Sequence, residues 1–404
     1  MDFFEGYSPE SLLERFGGPL YVYSERILRQ RCHQMTHLVD YEPFRPDFSC
    51  KANTNLHLLR IIREEGLEAD AMSPGEIFLL RQAGFAPEQI LFVCNNVSVE
   101  EMRYAVEEGI TVSLDSLSQL ETFGKAFPGH KVALRFNPGE GAGGHDHVIT
   151  AGENTKFGIN VDDADKAVAL LKKYNLTLRG INQHVGSNFL EGSAYVKGLE
   201  ELCNLAEHFE GLEFIDMGGG FGVPYHVEEQ PLDFAWLKEQ LDNRIQKFTE
   251  EYGHITIRTE PGRFVVAECG ALLGTVWGLK ENGGVTYAGT DLGFNVLMRP
   301  ILYDSYHEID VYRHGEKLSG GEVEYTVVGN ICESGDKLAQ KRMLPALELG
   351  DTLVVRNAGA YGYSMASNYN SRLRPAEVLL TMDGQAKLIR RRETLDDLLK
   401  GYEP

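Results

Sequence analysis

Between residues 44 and 263 the sequence repeats one pattern eight times, a short apolar, β-branched or aromatic run followed by an amphipathic stretch. The runs are FRPDFSC (44–50), LEADAM (67–72), ILFVC (90–94), TVSLD (111–115), KVALRF (131–136), LRGINQH (178–184), LEFIDM (212–217) and HITIRTE (254–260). Stretches between them, such as NLHLLRIIREEG and DADKAVALLKKYN, place apolar residues at three- and four-residue intervals, the period of a half-buried helix. A helix between two strands returns the chain to the same end of the sheet, so successive strands pair in parallel. Eight such units predict a closed (β/α)8 barrel, with a doubly wound open sheet as the competing arrangement.

After residue 265 the helical period thins out. TVWGLK, VTYAGT, VEYTVVGN, DTLVVRNAG and AEVLLTM, separated by glycine-containing turns, predict an antiparallel β domain. PLYVYS (19–24) is a further strand, and ETLDDLLKGY predicts one short terminal helix. The expected organisation is a barrel over 25–265 and a β domain over 266–404 that takes a strand from 1–24. A chain of 404 residues suits two domains.

The formal net charge of -21 excludes nucleic acid as a natural partner, because such a surface repels a polyanion. No apolar run is long enough to span a membrane, and MDFFEGYSPE has no basic stretch ahead of an apolar one. A soluble, cytoplasmic protein is therefore expected. The cysteines Cys32, Cys50, Cys94, Cys203, Cys269 and Cys332 contain no CxxC pair and are expected as reduced thiols, most of them buried and inert. Cys332 stands apart, because Glu333, Ser334, Gly335 and Asp336 after it read as a polar loop. The pair His145 and His147 reads as a solvated loop rather than a metal site, so no metal is expected.

Parallel barrels build their sites where the strands end. The first strand ends at Cys50-Lys51-Ala52-Asn53, and the second delivers Asp70. The fifth carries Arg135, and the sixth ends in His184, followed by Gly186 and Ser187. The seventh runs into Gly218-Gly219-Gly220-Phe221-Gly222, and the eighth into Glu260-Pro261-Gly262-Arg263. Glycines after strand seven let backbone N–H groups approach an anion, and barrels often hold phosphate there. The spacing fails the dinucleotide fingerprint, since Val223 stands where its third glycine belongs. Lys51 follows apolar Phe48 and Cys50, and a lysine in a barrel mouth can form a Schiff base with an aldehyde cofactor. Glu260 is placed to keep a pyridine nitrogen protonated. Phosphate loop, lysine and acid together specify pyridoxal 5'-phosphate.

The motifs FSCKAN, DAMSPGEI, RFNPG, NTKFGI, HVGSN, GGGFG, EPGR, MRPILY, CESGD, AGAYGYSMASNYN and RLRPAEVL run in order through nearly the whole chain. With them the sequence resembles the barrel-type, alanine-racemase-like (fold type III) PLP-dependent decarboxylases. The resemblance implies that Lys51 carries the Schiff base, His184 stacks on the pyridine, and Glu260 pairs with its nitrogen. Gly219, Gly220, Gly262, Arg263 and Ser187 would surround the phosphate, with Tyr361 closing it, and Asp70 and Arg135 would lend support from behind. Cys332 would return a proton to the α-carbon after CO2 leaves. Cys332 and Glu333 would reach the partner's barrel mouth, making the enzyme a homodimer with shared active sites.

The expected substrate is a small amino acid, meso-diaminopimelate, yielding L-lysine. Arg263, Arg299, Tyr303 and Tyr361 would bind it, with Glu333 on the distal ammonium, because a guanidinium fork suits a second carboxylate. The other readings are a decarboxylase for ornithine, D-lysine, D-ornithine or a carboxylated polyamine, a racemase, and a non-catalytic PLP-binding protein. CESGD weighs against the racemase, and the long segment after the barrel against the binding module. Asn188, Leu373 and the glycine-rich GEGAGGHDH (139–147) depart from the family's usual pattern.

Overall fold

The computed structural model describes residues 3–137, 142–143 and 156–403. The described chain forms two compact units. One comprises Arg29–Pro224 and Gln230–Val265; the other comprises residues up to Leu28, Tyr225–Glu229 and residues from Val266 onward.

The first unit is the closed eight-stranded parallel barrel. Its strands are β1 (Phe44–Ser49), β2 (Glu68–Ala71), β3 (Ile90–Cys94), β4 (Thr111–Leu114), β5 (Lys131–Asn137), β6 (Thr177–Asn182), β7 (Phe214–Asp216) and β8 (Thr256–Thr259). All eight runs read from the sequence are strands. Neighbours follow chain order, β8 pairs with β1, and Ser113↔Ala133 and Leu114↔Leu134 join β4 to β5 and complete the ring. Several helices between strands start at a side-chain cap, with Asn55, Ser73, Ser98, Ser116 and Asp233 each accepting from a first-turn N–H. Such a cap is worth about 1 kcal/mol.

Side chains alternate along each strand, so every second residue fills the barrel. Deep inside, Leu91, Val93, Ala133 and Phe214 form an apolar cluster. Gly180 makes room for it, since a Cβ there would lie 2.5 Å from the Phe214 ring. Beside the cluster, Arg258 grips Asp47 through Nε at 2.8 Å and Nη2 at 2.7 Å, and reaches Glu68 at 2.7 Å. Burial raises the Asp47 carboxyl and the guanidinium lowers it; the two-point geometry keeps the pair ionised.

In the second unit the sheet is mixed rather than wholly antiparallel. Leu20–Ser24 pairs antiparallel with Gly270–Asn282 and parallel with Ala376–Leu380, and Val285–Thr290 runs parallel to Val323–Val328. Parallel pairing needs a long connection. Here hundreds of residues separate the first parallel pair, and the segment holding the helix Arg299–Tyr303 separates the second. Ile309–Arg313, Lys337–Leu344 and Ala386–Arg390 are strands the sequence did not reveal. KLAQKRML carries charges that interrupt a one-sided apolar pattern. The tail forms a 3-10 turn over Leu395–Leu399.

Removing one partner of a buried ion pair strands the other charge. Arg258→Ala should therefore lower the unfolding free energy by about 3–5 kcal/mol in a denaturant titration. A loss below about 1 kcal/mol would mean that Asp47 is not held as a buried carboxylate.

Candidate active site

The polar residues gather at the C-terminal ends of the strands. The β1–β2 register sets Ser49 opposite Asp70, and Ser49 Oγ donates to Asp70 Oδ2 at 2.7 Å. Beyond β1 the chain tightens into a 3-10 turn, Cys50–Ala52, which presents Lys51 as an exposed residue. The Lys51 charge acts on Asp70, Glu76, His184 and Glu260, so all four stand around it. Arg135 is buried amid Glu260, Asp115, Asp70 and Asp216, with its guanidinium 4.6 Å from the centre of the Phe157 ring.

Glu260 is 5% exposed and lies just past β8. Asn182 Nδ2 donates to its Oε1 at 3.4 Å, while Ser113 Oγ donates to Asn182 Oδ1 at 2.7 Å. Burial, followed by the charges of Asp216 and Asp70, pushes the Glu260 carboxyl well above the ordinary range, and Arg135 and Lys51 pull it back. His184 Nδ1 lies 3.9 Å from Glu260 Oε2, yet the two are not an ion pair. Burial, then Lys51 and Arg135, hold the imidazole far below its usual pKa and therefore neutral. Gly219 N donates to His184 Nδ1 at 3.2 Å, which leaves the ring proton on Nε2.

The glycine run after β7 is packed too tightly for side chains. A Cβ on Gly219 would overlap the Glu260 carbonyl oxygen, and one on Gly220, at φ +115, would overlap the Phe189 ring. Asp216 Oδ1 accepts from Gly218 N at 2.8 Å, and Tyr195 and Thr259 both reach the Gly218 carbonyl, at 2.8 and 2.7 Å. Asn188 has φ 60, a left-handed conformation that asparagine tolerates, and its Oδ1 accepts from Val223 N at 3.2 Å. The departure at Asn188 is thus a brace for the loop. Arg263 Nη2 donates to Ser187 Oγ at 3.1 Å, and buried Gly262 separates Arg263 from Pro261 and Glu260. A guanidinium, a hydroxyl and a glycine-lined backbone suit a phosphate, a buried acid suits a ring nitrogen, and an accessible amine suits an aldehyde. The residues present fit pyridoxal phosphate.

The remaining sequence-derived candidates belong to the second unit. Cys332 is exposed, whereas the five other cysteines are buried. Its N–H donates to Asn370 Oδ1 at 2.7 Å, and Glu333 Oε1 accepts from Tyr369 OH at 2.6 Å. Asp336 clamps the loop by accepting from Ile331 N at 2.8 Å and Phe294 N at 2.7 Å. Arg299 is buried, donates through Nη1 to His307 Nε2 at 2.8 Å and lies 4.5 Å from the Tyr225 ring centre. That bond fixes the His307 proton on Nδ1, which faces the Arg356 carbonyl at 2.8 Å. Tyr303 is half-buried, and Tyr361 sits at φ 55, a strained value for a bulky residue. The 139–147 loop with His145 and His147 lies outside the described residues except for Ala142–Gly143, whose backbone pairs with Gly186–Ser187.

Sequence reasoning missed Ser49, Ser113, Asn182, Tyr195, Asp216 and Asp336. Asp216 had a usable signal: an acid two residues ahead of a glycine run, on the inward parity of its strand. Burial pushes it up to about 6. Below its unfolded value, near 4, the carboxyl is neutral whether folded or not. As pH rises through about 6 the folded protein must ionise a buried group, and stability is lost. In the cofactor-free protein, Asp216→Asn should be more stable than wild type at pH 8 by up to about 2–3 kcal/mol, with the gap shrinking below about pH 6 and closing below about pH 4. A gap that does not change with pH would contradict this.

Residues 25–267 match the family described as "Pyridoxal-dependent decarboxylase, pyridoxal binding domain". The chain is 39% identical to diaminopimelate decarboxylase of Methanothermobacter thermautotrophicus over 98% of its own length and 94% of the relative's. A crystal structure of a diaminopimelate decarboxylase superposes with a TM-score of 0.90 at 35% identity, covering 99% of this chain and 98% of that one. The Helicobacter pylori diaminopimelate decarboxylase complexed with L-lysine matches with a TM-score of 0.88 at 30% identity, covering 97% and 98%. The chain belongs to the diaminopimelate decarboxylases, a branch of the pyridoxal-dependent decarboxylase family.

Proposed function

We propose that this enzyme decarboxylates meso-diaminopimelate to L-lysine with pyridoxal phosphate, the closing step of lysine biosynthesis. The carrying observation is the convergence of Lys51, His184, Glu260 and the Arg263–Ser187 pair at one barrel mouth, in a chain 39% identical to a relative of that name. Bound there, the cofactor supplies an electron sink for the pair left on the α-carbon when CO2 departs.

Lys51 would hold the cofactor through its aldehyde, the group that a primary amine condenses with. Glu260 holds a proton at the ring nitrogen, and the cation it meets there favours its ionised form, which burial alone opposes. Neutral His184 covers the ring face without adding a competing charge. Ser187, Gly219, Gly220, Gly262 and Arg263 bind the phosphate, and Tyr361 closes it. Asp70, fixed by Ser49, and Arg135 orient Lys51 and Glu260 from behind. Arg299, held by His307, binds the distal carboxylate with Arg263, Tyr303 and Tyr361, and Glu333 takes the distal ammonium.

Cys332 and Glu333 act in the barrel mouth of a second copy, so the working unit is a homodimer with shared sites. Support comes from the exposed Cys332 loop and from a cavity of about 410 Å³ beside it, lined by Phe294, Met298, Ile301, Glu333 and Tyr369. A thiol proton is given up far more readily than a hydroxyl proton, which suits Cys332 to returning one to the α-carbon. The barrel domain is assigned to 25–265, and the β domain to 266–404 with 1–24. The cytoplasm is the proposed setting, supported by the acidic sequence and by cysteines that form no disulfide; among the described residues no helix is long and apolar enough to cross a membrane.

Loaded with pyridoxal phosphate, the protein should release CO2 from meso-diaminopimelate at least about 100-fold faster than from L-ornithine, L-arginine or D-lysine, the scale expected when a buried ionic contact is lost. A preference for ornithine would overturn the substrate.

Lys51→Ala and Cys332→Ala should each be nearly inactive. Mixed and allowed to exchange subunits, they should regain roughly a quarter of wild-type activity, since half the dimers then hold one intact site of two. No recovery after demonstrated exchange would eliminate the shared site.

A further inference from the structure

The β-rich unit has a polar cavity of its own, about 490 Å³ in volume. Its wall includes Trp277, Asp291, Asn295, Asn330, Arg372 and Arg392. None of these takes part in the chemistry proposed above. Asn295 is 2% exposed, yet its Oδ1 meets no donor, and neither does Oδ1 of Asn330. The two oxygens converge beside Gly293, where a Cβ would lie 2.7 Å from one and 3.3 Å from the other. Both oxygens are shut off from solvent, but both residues line the cavity, so a turn of the two amides would bring them to a single donor group lodged there.

A cationic fork is fixed next to them. Arg372 Nε donates to the Asn330 carbonyl oxygen at 3.1 Å, which ties the guanidinium to the very residue whose side-chain oxygen is bare. Guanidinium beside bare carbonyl oxygens matches the carboxylate and ammonium that an α-amino acid carries on one carbon. The wall then continues to the Trp277 indole, 69% exposed, and to Asp291, whose Oδ1 is steadied by Thr275 N at 2.8 Å. An indole leading to a carboxylate suits a methylene chain ending in a cation. Arg392 stands near enough to Asp291 for the two charges to act on each other, and is anchored through Nη2 on the Pro19 carbonyl at 2.5 Å.

We propose that this cavity is a second amino-acid site, selective for a basic α-amino acid of the size of lysine. Its carboxylate meets Arg372, its α-ammonium meets Asn295 and Asn330, and its side chain runs along Trp277 to Asp291. The site rests on the proposed function only in that lysine is the product at hand. It is also wired to the catalytic loop. Asn330 lies two residues before Cys332, and Arg372 two after Asn370, whose Oδ1 holds the Cys332 N–H. A ligand gripping Asn330 and Arg372 therefore bears on both sides of that hydrogen bond, which gives the product a route to the proton donor.

The chain has two tryptophans, so Trp236→Phe leaves Trp277 as the sole indole reporter. In that holoenzyme, L-lysine should change Trp277 emission saturably. L-norleucine, which lacks the terminal ammonium, should bind at least about ten-fold more weakly, and Arg372→Ala should weaken lysine by a similar factor. Asp291→Asn should erase the preference for lysine over norleucine. A response to inorganic phosphate as strong as that to lysine, or a lysine response untouched by both variants, would overturn the site. Repeating the titration with Lys51→Ala added separates the two sites: a lysine response that persists arises in this cavity, and one that disappears came from the barrel mouth and overturns the site. With Lys51 intact, a Trp277 response without CO2 release from meso-diaminopimelate would sink the proposed function and spare the site. CO2 release without a Trp277 response would do the reverse.

Discussion

Ser113 on β4, Asn182 on β6 and Glu260 past β8 form a hydrogen-bonded run across the barrel interior. It exists only because the ring closes. Ser113 is one of the two residues through which β4 pairs with β5, and the β5–β6 register places Arg135 beside Asn182. A sheet left open between β4 and β5 would put Ser113 on one edge strand, with Asn182 on β6 near the opposite edge. Closure instead puts a carboxyl in a place where water cannot reach it, and its chemistry follows from that. A buried acid surrounded by Asp70, Asp216 and Arg135 has a proton affinity that responds to whatever cation arrives against it.

The barrel interior therefore contains two kinds of buried charge. Near the start of the strands Arg258 is answered on the spot by Asp47 and Glu68, and nothing there needs to change. Toward the strand ends burial raises the pKa values of Asp70, Asp216 and Glu260, and neighbouring acids add to the rise at Asp216 and Glu260. A fold gains nothing in stability from that second arrangement. Its persistence is characteristic of a site that a charged cofactor completes.

The eight strands were legible because most of their residues are buried and apolar and an amphipathic stretch follows nearly every run, which leaves a strong signal. Lys51, Asp70, His184 and Glu260 were legible because parallel barrels expose strand ends at one mouth, so position in the repeat stood in for position in space. Ser49, Ser113 and Asn182 were not, because a small polar residue inside a strand looks the same whether it braces a carboxylate or faces solvent. Lys337–Leu344 escaped because its burial does not alternate and its lysines and arginine break up the apolar pattern. The mixed pairing in the second unit could not be read either, since the N-terminal strand's partners lie hundreds of residues away and no turn fixes their direction. Asn188 looked like a departure from pattern; only its left-handed backbone and its bond to Val223 show it as a support for the glycine loop.

Everything in this account turns on Lys51 being the residue that bonds the cofactor. Borohydride reduction of the pyridoxal-phosphate-loaded protein, followed by peptide mapping, tests that directly. The account predicts a single pyridoxyl-modified peptide with the label on Lys51. A label on any other lysine, or a loaded enzyme that takes up no label at all, would contradict it.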